Sequence, residues 1–289
     1  MEILRKLTYY QNILTGGGTG GNTGGGNTGG GTDDGWIGDG NTHIWISLQE
    51  GRTSPMLGCC PNGTVTVDWG DGTTPDVLTG TSTSTVKWTP NHEYAKAGDY
   101  VITLTVDGEV ALSGTSGGFN GSFILRYASS SDNRNRPYCN SVRMVEVGDC
   151  VANIGNYAFG NCHSLTSVTI TDGITWIGQN AFEKCYGLSS VVIPDSITFI
   201  NDYAFSGCYG LSSVVIPGSV VSINSYAFYD CYNMRCYDFT KHTVVPTLSN
   251  TNAFRSIPAD CEIRVPAALY DEWIAATNWA TYASQIVAV

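Results

Sequence analysis

One stretch of this sequence has the residue types and spacing of a catalytic motif. Residues 114–118 (GTSGG) fit the G-x-S-x-G pattern of hydrolase nucleophiles, which requires a strand before the serine and a helix after it. The residues that follow, Phe119, Asn120 and Gly121, begin a helix poorly, and the chain lacks the strand–helix alternation of a hydrolase. We therefore interpret the motif as a chance match in a Gly- and Ser-rich segment, and we predict no catalytic residues.

Residues that bind metals are scattered along the chain. The four histidines show no ligand spacing, Cys59 and Cys60 are adjacent, and no C-x-x-C pair occurs. Asp33, Asp34 and Asp39 are candidate calcium ligands, but they form no regular D-x-D-x-D-G loop. We expect no metal site and no cofactor, with a calcium ion near these aspartates or the domain after them as the alternative.

Aromatic side chains are the remaining candidates for ligand contact, because they recur at a fixed interval of 23 residues. The three series are His163, Tyr186, Tyr209 and Tyr232; Trp176 and Phe199; and Tyr157, Tyr203 and Tyr226, which Asn180 interrupts. Aligned rings on a surface can stack on sugar rings or on an apolar patch of a partner. The first two series are the predicted ligand-binding residues. The alternative is that the rings only seal the edges of a core.

The interval belongs to a unit that occurs four times between about residues 151 and 238. Each copy has an Ala-Phe pair, a cysteine three residues later, a leucine or methionine three residues further on, and a short alternating strand. The pairs and cysteines are Ala158-Phe159 with Cys162, Ala181-Phe182 with Cys185, Ala204-Phe205 with Cys208, and Ala227-Phe228 with Cys231. This period is typical of a solenoid, whose short units close their core only against each other. The cysteines are predicted to be buried thiols, with disulfides between neighbouring coils as the alternative.

These residues resemble the BspA-like leucine-rich repeats of surface proteins from gut and oral anaerobes and of their phages. The pattern I-x-x-I-x-x-x-A-F-x-x-C-x-x-L-x-S-V-x-I-P is carried almost intact by residues 174–194 and 197–217. The resemblance covers about half the chain and implies binding or adhesion rather than catalysis, without naming a ligand. We expect a solenoid over residues 141–289, with a degenerate fifth coil at Ala253-Phe254 and a C-terminal helical cap that begins at Pro266.

A different pattern precedes the repeats. Residues 67–72 read V-D-W-G-D-G, and His92, Tyr94, Gly98 and Tyr100 follow at the spacing H-x-Y-x-x-x-G-x-Y. These motifs resemble those of the PKD (polycystic kidney disease) domain. That resemblance implies an immunoglobulin-like β-sandwich over residues 41–113, used as a spacer or protein-contact module. Trp69, Tyr94 and Tyr100 would fill the core between its sheets.

The N-terminal residues suggest an anchor on a tether. In residues 1–15, an apolar face of Ile3, Leu7, Tyr10 and Leu14 has helical spacing, and no signal-peptide cleavage pattern follows. A docking peptide for other virion proteins, and a frayed start or weak export signal, both fit this segment. Residues 16–40 are glycine-rich and are predicted to form a flexible tether, and residues 114–140 a linker.

Composition sets further limits on function. The 289 residues are 42% hydrophobic and carry a formal charge of −11, which argues against a nucleic-acid-binding surface. No apolar run is long enough to span a bilayer. The predicted fold class is mainly β with short helical turns, an immunoglobulin-like β-sandwich followed by a leucine-rich-repeat solenoid with a C-terminal helical cap.

The predicted function is non-enzymatic adhesion or display. The main interpretation is a phage virion surface appendage, a tail or head fibre that attaches to a host surface glycan or protein and that could be a homo-oligomer. The alternative is a BspA-like adhesin at a bacterial cell surface or in the extracellular space. A third interpretation, the accessory half of a carbohydrate-active enzyme, lacks the paired carboxylates that glycan hydrolysis needs.

Overall fold

The computed structural model describes residues 39–50, 53–112, 125–127 and 139–289. The strands are β1 Thr42–Leu48, β2 Pro55–Asp68, β3 Asp76–Thr81, β4 Lys87–Trp88, β5 Gly98–Leu112, β6 Leu125–Tyr127, β7 Val142–Glu146, β8 Val151–Ile154, β9 Ser167–Thr169, β10 Ser190–Val191, β11 Phe199–Ile200, β12 Ser213–Val215, β13 Ser222–Ile223, β14 Cys236–Asp238, β15 Thr247–Leu248, β16 Glu262–Val265 and β17 Ile286–Ala288. An α-helix, α1, spans Tyr270–Ala275, and 3₁₀ helices span Cys139–Ser141, Ala267–Leu269 and Trp279–Tyr282. None of the described helices has the length and apolar character needed to cross a membrane.

Several predictions fall on residues outside those ranges. The anchoring residues Ile3, Leu7, Tyr10 and Leu14, the calcium candidates Asp33 and Asp34, and residues 114–118 lie outside the described residues. The same holds for nearly all of the glycine-rich segment. These interpretations therefore stay predictions.

Strands β2 and β5 lie at the centre of the N-terminal sheet, and most of their alternate residues are apolar. They pair antiparallel with Val65 opposite Val106 and Val67 opposite Leu104, and the inward Val65, Val67 and Leu104 are fully buried. β1 and β3 flank them, in the order β3–β2–β5–β1. The sheet is antiparallel throughout this part.

The residues of the W-G-D-G and H-x-Y motifs pack together beside this sheet. Trp69 is fully buried and lies parallel to the His92 ring, with centroids 4.5 Å apart. The Trp69 indole donates a hydrogen bond of 2.9 Å to Asp76, and the Tyr94 hydroxyl donates one of 2.8 Å to the Trp69 carbonyl. Buried indole and phenol groups need such partners. The predicted core residues therefore fix the end of β2 to the loop before β5.

The N-terminal sheet continues into the repeats. β1 pairs antiparallel with β7, β7 pairs parallel with β9, and β9 pairs parallel with β10. β8 pairs parallel with the end of β5, and the described residues from 39 to 289 belong to one compact unit. An independent immunoglobulin-like sandwich is therefore not confirmed, because its predicted strands share a sheet and a hydrophobic core with the first coils.

The solenoid is confirmed, and its coils stack in register. Short strands of successive coils pair side by side in two parallel sheets, β12–β14–β16–β17 and β11–β13–β15. In the interior, Phe159, Phe182, Phe205, Phe228 and Phe254 form one column of nearly parallel rings. Successive centroids are 5.3 to 5.6 Å apart. Phe254 belongs to this column, which confirms the predicted fifth coil.

Two positions in each coil adopt a left-handed backbone. The first holds Tyr157, Asn180, Tyr203 and Tyr226, and the second holds Asn161, Lys184, Gly207 and Asp230, with φ between 55° and 71°. An L-residue there costs about 1 to 2 kcal/mol. The left-handed turn directs the backbone amide of its residue toward the next coil. The Lys184 N–H, for example, donates to the carbonyl of Ser206 in the next coil at 2.7 Å. Repeated bonds of this kind offset the backbone strain.

The repeat cysteines contribute thiols to the same interior. The Cys185 and Cys208 thiols donate hydrogen bonds of 3.2 Å to the carbonyls of Phe159 and Phe182 in the preceding coil. Burial raises the pKa of Cys231 to about 12, so its thiol stays protonated at neutral pH. These contacts agree with the buried-thiol prediction.

An aromatic cap closes the last coil. Trp273 of α1 and Trp279 are buried, and the Trp279 indole donates a hydrogen bond of 2.8 Å to the Pro246 carbonyl. Leu269 and Ile274 pack against the same core. The predicted helical cap is confirmed, although its first turn is a 3₁₀ helix and α1 ends at Ala275.

Candidate ligand-binding surfaces

Three equivalent segments on consecutive coils form one surface, which we call the second-strand face (the outward side chains of residues 175–176, 198–199 and 221–222). The last two segments include residues of β11 and β13, and Ile177 forms an isolated bridge at the equivalent place in the first. Trp176 and Phe199 directly precede the buried Ile177 and Ile200, so their side chains point outward. Trp176 is 38% exposed and Phe199 is 47% exposed. Phe199 pairs with Ser222 in the parallel ladder. Two large aromatic side chains are therefore exposed on consecutive coils of a regular surface.

A second surface consists of the outward side chains of residues 156–163, 179–186, 202–209 and 225–232, which we call the tyrosine face. Its ring column runs from His163 through Tyr186 and Tyr209 to Tyr232, with centroid distances of 4.4, 4.7 and 5.2 Å. The first two pairs are parallel within 11°, whereas Tyr232 is tilted by 38° and is 51% exposed. The inner rings cover each other's faces, so they present their edges to solvent.

A neighbouring group of rings lies on the same face. Tyr203 and Tyr226 stack at 4.7 Å with planes 7° apart, and Tyr229 meets Tyr226 edge-on at 5.4 Å. Sequence reasoning missed Tyr229, because its position in the repeat holds Glu183 and Ser206 in the two preceding coils. The one sequence signal for Tyr229 is that an aromatic residue occurs at a repeat position where the other coils have none.

The charged groups of the tyrosine face are mostly acidic. Glu183 accepts hydrogen bonds from Asn180 at 2.8 Å and pairs with Lys184 at 3.0 Å, and Asp202 accepts one from the Ser225 amide at 2.8 Å. Asp230 differs, because its Oδ1 atom is buried and accepts no hydrogen bond from any described group. Interaction with the Asp230 carboxylate raises the pKa of Tyr232.

The first strand of each coil presents a third, aliphatic face. Val192 and Val215 stand on consecutive coils and are 45% and 49% exposed. This face resembles the second-strand face in exposure and in its position on consecutive coils, but neither residue is aromatic. It therefore serves as an internal control for surface substitutions.

Three of the histidines have structural partners. His43 lies 3.2 Å from both Asp39 and Thr103, and His92 lies 2.9 Å from Asp71. His242 is buried between the Phe239 and Val220 carbonyls. Among residues 39–50, 53–112, 125–127 and 139–289, no group of three or more His, Cys, Asp or Glu side chains could hold a metal ion.

Comparison with known proteins identifies the repeats. Residues 137–257 match the family model described as a BspA type leucine-rich repeat region, in six copies. No curated protein matches the sequence.

Several solved structures are similar to this chain. A leucine-rich repeat protein of T. pallidum is 27% identical over 43% of this chain and 59% of its own, with a TM-score of 0.38. A leucine-rich cell surface protein from Faecalibacterium prausnitzii is 21% identical over 60% of this chain and 40% of its own, with a TM-score of 0.39. The pneumococcal vaccine antigen PcpA is 15% identical over 57% of this chain and 42% of its own, also with a TM-score of 0.39. This chain thus spans 40% to 59% of the length of these structures. The stacked coils of residues 137–257 are thus similar to the BspA type leucine-rich repeat region that this family model describes.

Proposed function

We propose that this chain is a non-enzymatic binding protein displayed at a surface, an adhesin of the BspA-like type. Its second-strand face contacts a glycan or protein on a host surface. The observation that carries the proposal is the exposure of Trp176 and Phe199 on consecutive coils, while the repeat residues of the interior are buried. Large exposed aromatic side chains are typical of interaction sites.

The geometry of this face suits a sugar ring or a flat protein patch. The ladder holds Phe199 beside Ser222, and Thr175 and Thr198 are exposed next to the two aromatic residues. Aromatic rings bury the apolar C–H face of a ligand, and the neighbouring hydroxyl groups can form hydrogen bonds around it. Stacking on a ring face is harder on the tyrosine face, because His163, Tyr186 and Tyr209 cover one another. Tyr232, at the end of that column, is the ring there with the largest exposed fraction.

The proposal assigns supporting roles to the remaining parts. The PKD-like residues 41–113 act as a spacer that presents the coils, and they pair directly with the first of them through β1 and β7. The proposed activity needs no catalytic residue, cofactor or metal.

Binding to an array of mucosal glycans and host surface proteins tests the proposal. We expect the full chain to bind a defined subset of targets and the Trp176→Ala/Phe199→Ala double variant to lose that binding. The matched control is Val192→Ala/Val215→Ala, which removes similarly exposed apolar side chains from the first-strand face. An array with no bound target, or equal losses in both double variants, would contradict the proposal.

The place of display is a separate question. The BspA-type repeats favour a bacterial cell surface, whereas the virion interpretation relies on residues 1–40, of which only residues 39 and 40 are described. Mass spectrometry of envelope fractions and of phage particles should detect peptides from residues 174–264 in the envelope. Their recovery from particles alone would overturn the cell-surface assignment and support a virion appendage.

A further inference from the structure

We propose that the tyrosine face binds a protein segment that carries arginine side chains, and that Asp230 is the centre of this site. The inference goes beyond the proposed function, because it concerns a different side of the coils and a different class of ligand. It rests on the ring geometry, the hydrogen bonds and the charge of this face.

Tyrosine is concentrated on this face. The four segments that form it hold seven of the sixteen tyrosines in the chain, and three of the seven lie in the fourth segment. Tyrosine is enriched in protein-binding surfaces, because its rigid ring offers contact area at low entropic cost. The parallel order of the rings also breaks in the fourth segment, where Tyr229 is 79° from Tyr226 and Tyr232 tilts away from Tyr209. That segment therefore presents rings in several orientations around one acidic residue.

Asp230 is held in place by its backbone and is incompletely hydrogen bonded. Its φ of 59° directs its amide to the Arg255 carbonyl at 3.1 Å. It belongs to the segment that also carries Tyr226, Tyr229 and Tyr232, and its carboxylate raises the pKa of Tyr232. Its buried Oδ1 atom accepts no hydrogen bond from the residues that the structure describes, and a buried acceptor without a donor is unfavourable. An N–H donor that enters between these side chains would satisfy it.

The acidic residues of the tyrosine face favour a positively charged hydrogen-bond donor. Glu183, Asp202 and Asp230 are its acidic residues, and its one Lys or Arg, Lys184, already pairs with Glu183. A guanidinium group combines a fork of N–H donors for a carboxylate with a plane that stacks on tyrosine rings, which an ammonium group lacks. The net charge of −11 also attracts a basic partner.

Fluorescence anisotropy with labelled peptides tests this site. The probe is a peptide of alternating arginine and glycine, and the comparison peptides replace arginine by lysine or by glutamate. We expect the arginine peptide to bind severalfold more tightly than the lysine peptide and the glutamate peptide not to bind. Asp230→Asn should weaken binding of the arginine peptide about tenfold. Asp271→Asn, which removes the same charge from an exposed position on α1, should leave it nearly unchanged.

A second variant guards against a folding defect in Asp230→Asn. Tyr232 is half exposed, so Tyr232→Ala should leave the fold intact and weaken binding of the arginine peptide severalfold. Equal affinities for the arginine and lysine peptides would overturn the proposal. Equal losses in Asp230→Asn and Asp271→Asn would do so as well, because binding would then follow net charge alone. The Trp176→Ala/Phe199→Ala variant should keep its affinity for the arginine peptide, which separates this site from the second-strand face.

Discussion

The phenylalanine column makes a strong prediction about stability. Phe205 is fully buried and lies between Phe182 and Phe228, with both centroids 5.3 Å away and both planes within 7° of its own. Phe205→Ala removes a ring from the interface with each neighbouring coil. In a solenoid, stability is a sum of such interfaces, so one substitution weakens two of them.

The expected loss follows from burial and from ring contacts. Truncation of a buried phenylalanine to alanine costs about 3 to 5 kcal/mol. Two neighbouring rings place Phe205 in the upper half of that range, since each aromatic pair contributes about 0.5 to 1.5 kcal/mol beyond its buried area. The matched control is Phe199→Ala, six residues away, whose side chain is 47% exposed and whose cost should stay within about 0.5 kcal/mol.

Urea unfolding of both variants measures the difference. Phe205→Ala should lower the midpoint strongly with little change in slope, and Phe199→Ala should match the wild type. A loss below about 1.5 kcal/mol for Phe205→Ala, or equal losses in the two variants, would show that the ring column does not hold the coils together.

Three other perturbations test further parts of the fold. Gly207→Ala should cost about 1 kcal/mol in urea unfolding, because its φ is 71° while the nearest atom to an added Cβ is at 3.4 Å. Gly98→Ala should be nearly neutral, since its φ is ordinary and no atom comes closer than 3.6 Å, and equal costs would count against the strain argument. With iodoacetamide at about pH 8, mass spectrometry should find the exposed Cys150 labelled in the folded protein and Cys185, Cys208 and Cys231 labelled only after unfolding, because burial raises the pKa of these three thiols. Burial lowers the pKa of His242 below 6.5, so the unfolded chain takes up this proton first and stability should fall as the pH drops below about 6.5. His242→Gln should flatten the unfolding free energy between about pH 7 and about pH 5, and an unchanged slope would refute this role.

The coil could be predicted from the sequence because its signals are local and repeated. The Ala-Phe pair, the cysteine and the alternating strand recur at a constant interval, so a single unit defined the buried positions of all the others. The burial of Phe254 was predicted from the same repeat, and that of the cap residue Trp273 from helical spacing.

The junction between the N-terminal strands and the coils could not be predicted in this way. It depends on β1 pairing with β7 and on β5 pairing with β8, and strand pairing between distant segments leaves no periodic signal in either strand. The motifs around Trp69 correctly identified Trp69 and Tyr94 as buried, whereas Tyr100 is only partly buried, and they did not indicate which sheet these residues would join.

The candidate sites were predictable only where they repeat. The spacing of Trp176 and Phe199 predicted two aligned aromatic residues on one face of the coils, and the structure places both on the second-strand face. Tyr229 and Asp230 each occur once in their repeat positions, so the contact of Tyr229 with Tyr226 and the burial of the Asp230 carboxylate oxygen could be seen only in the structure.

The most direct test of the proposed function is the affinity of three forms of the full chain for the strongest target on the array. These forms are the wild type, Trp176→Ala/Phe199→Ala and Val192→Ala/Val215→Ala, each first shown by urea unfolding to be equally stable. We expect the aromatic double variant to lose at least tenfold in affinity, since each lost ring contact contributes about 0.5 to 1.5 kcal/mol beyond its buried area. The valine double variant should bind like the wild type. Wild-type affinity in the aromatic double variant would contradict the assignment of the second-strand face as the ligand-binding surface.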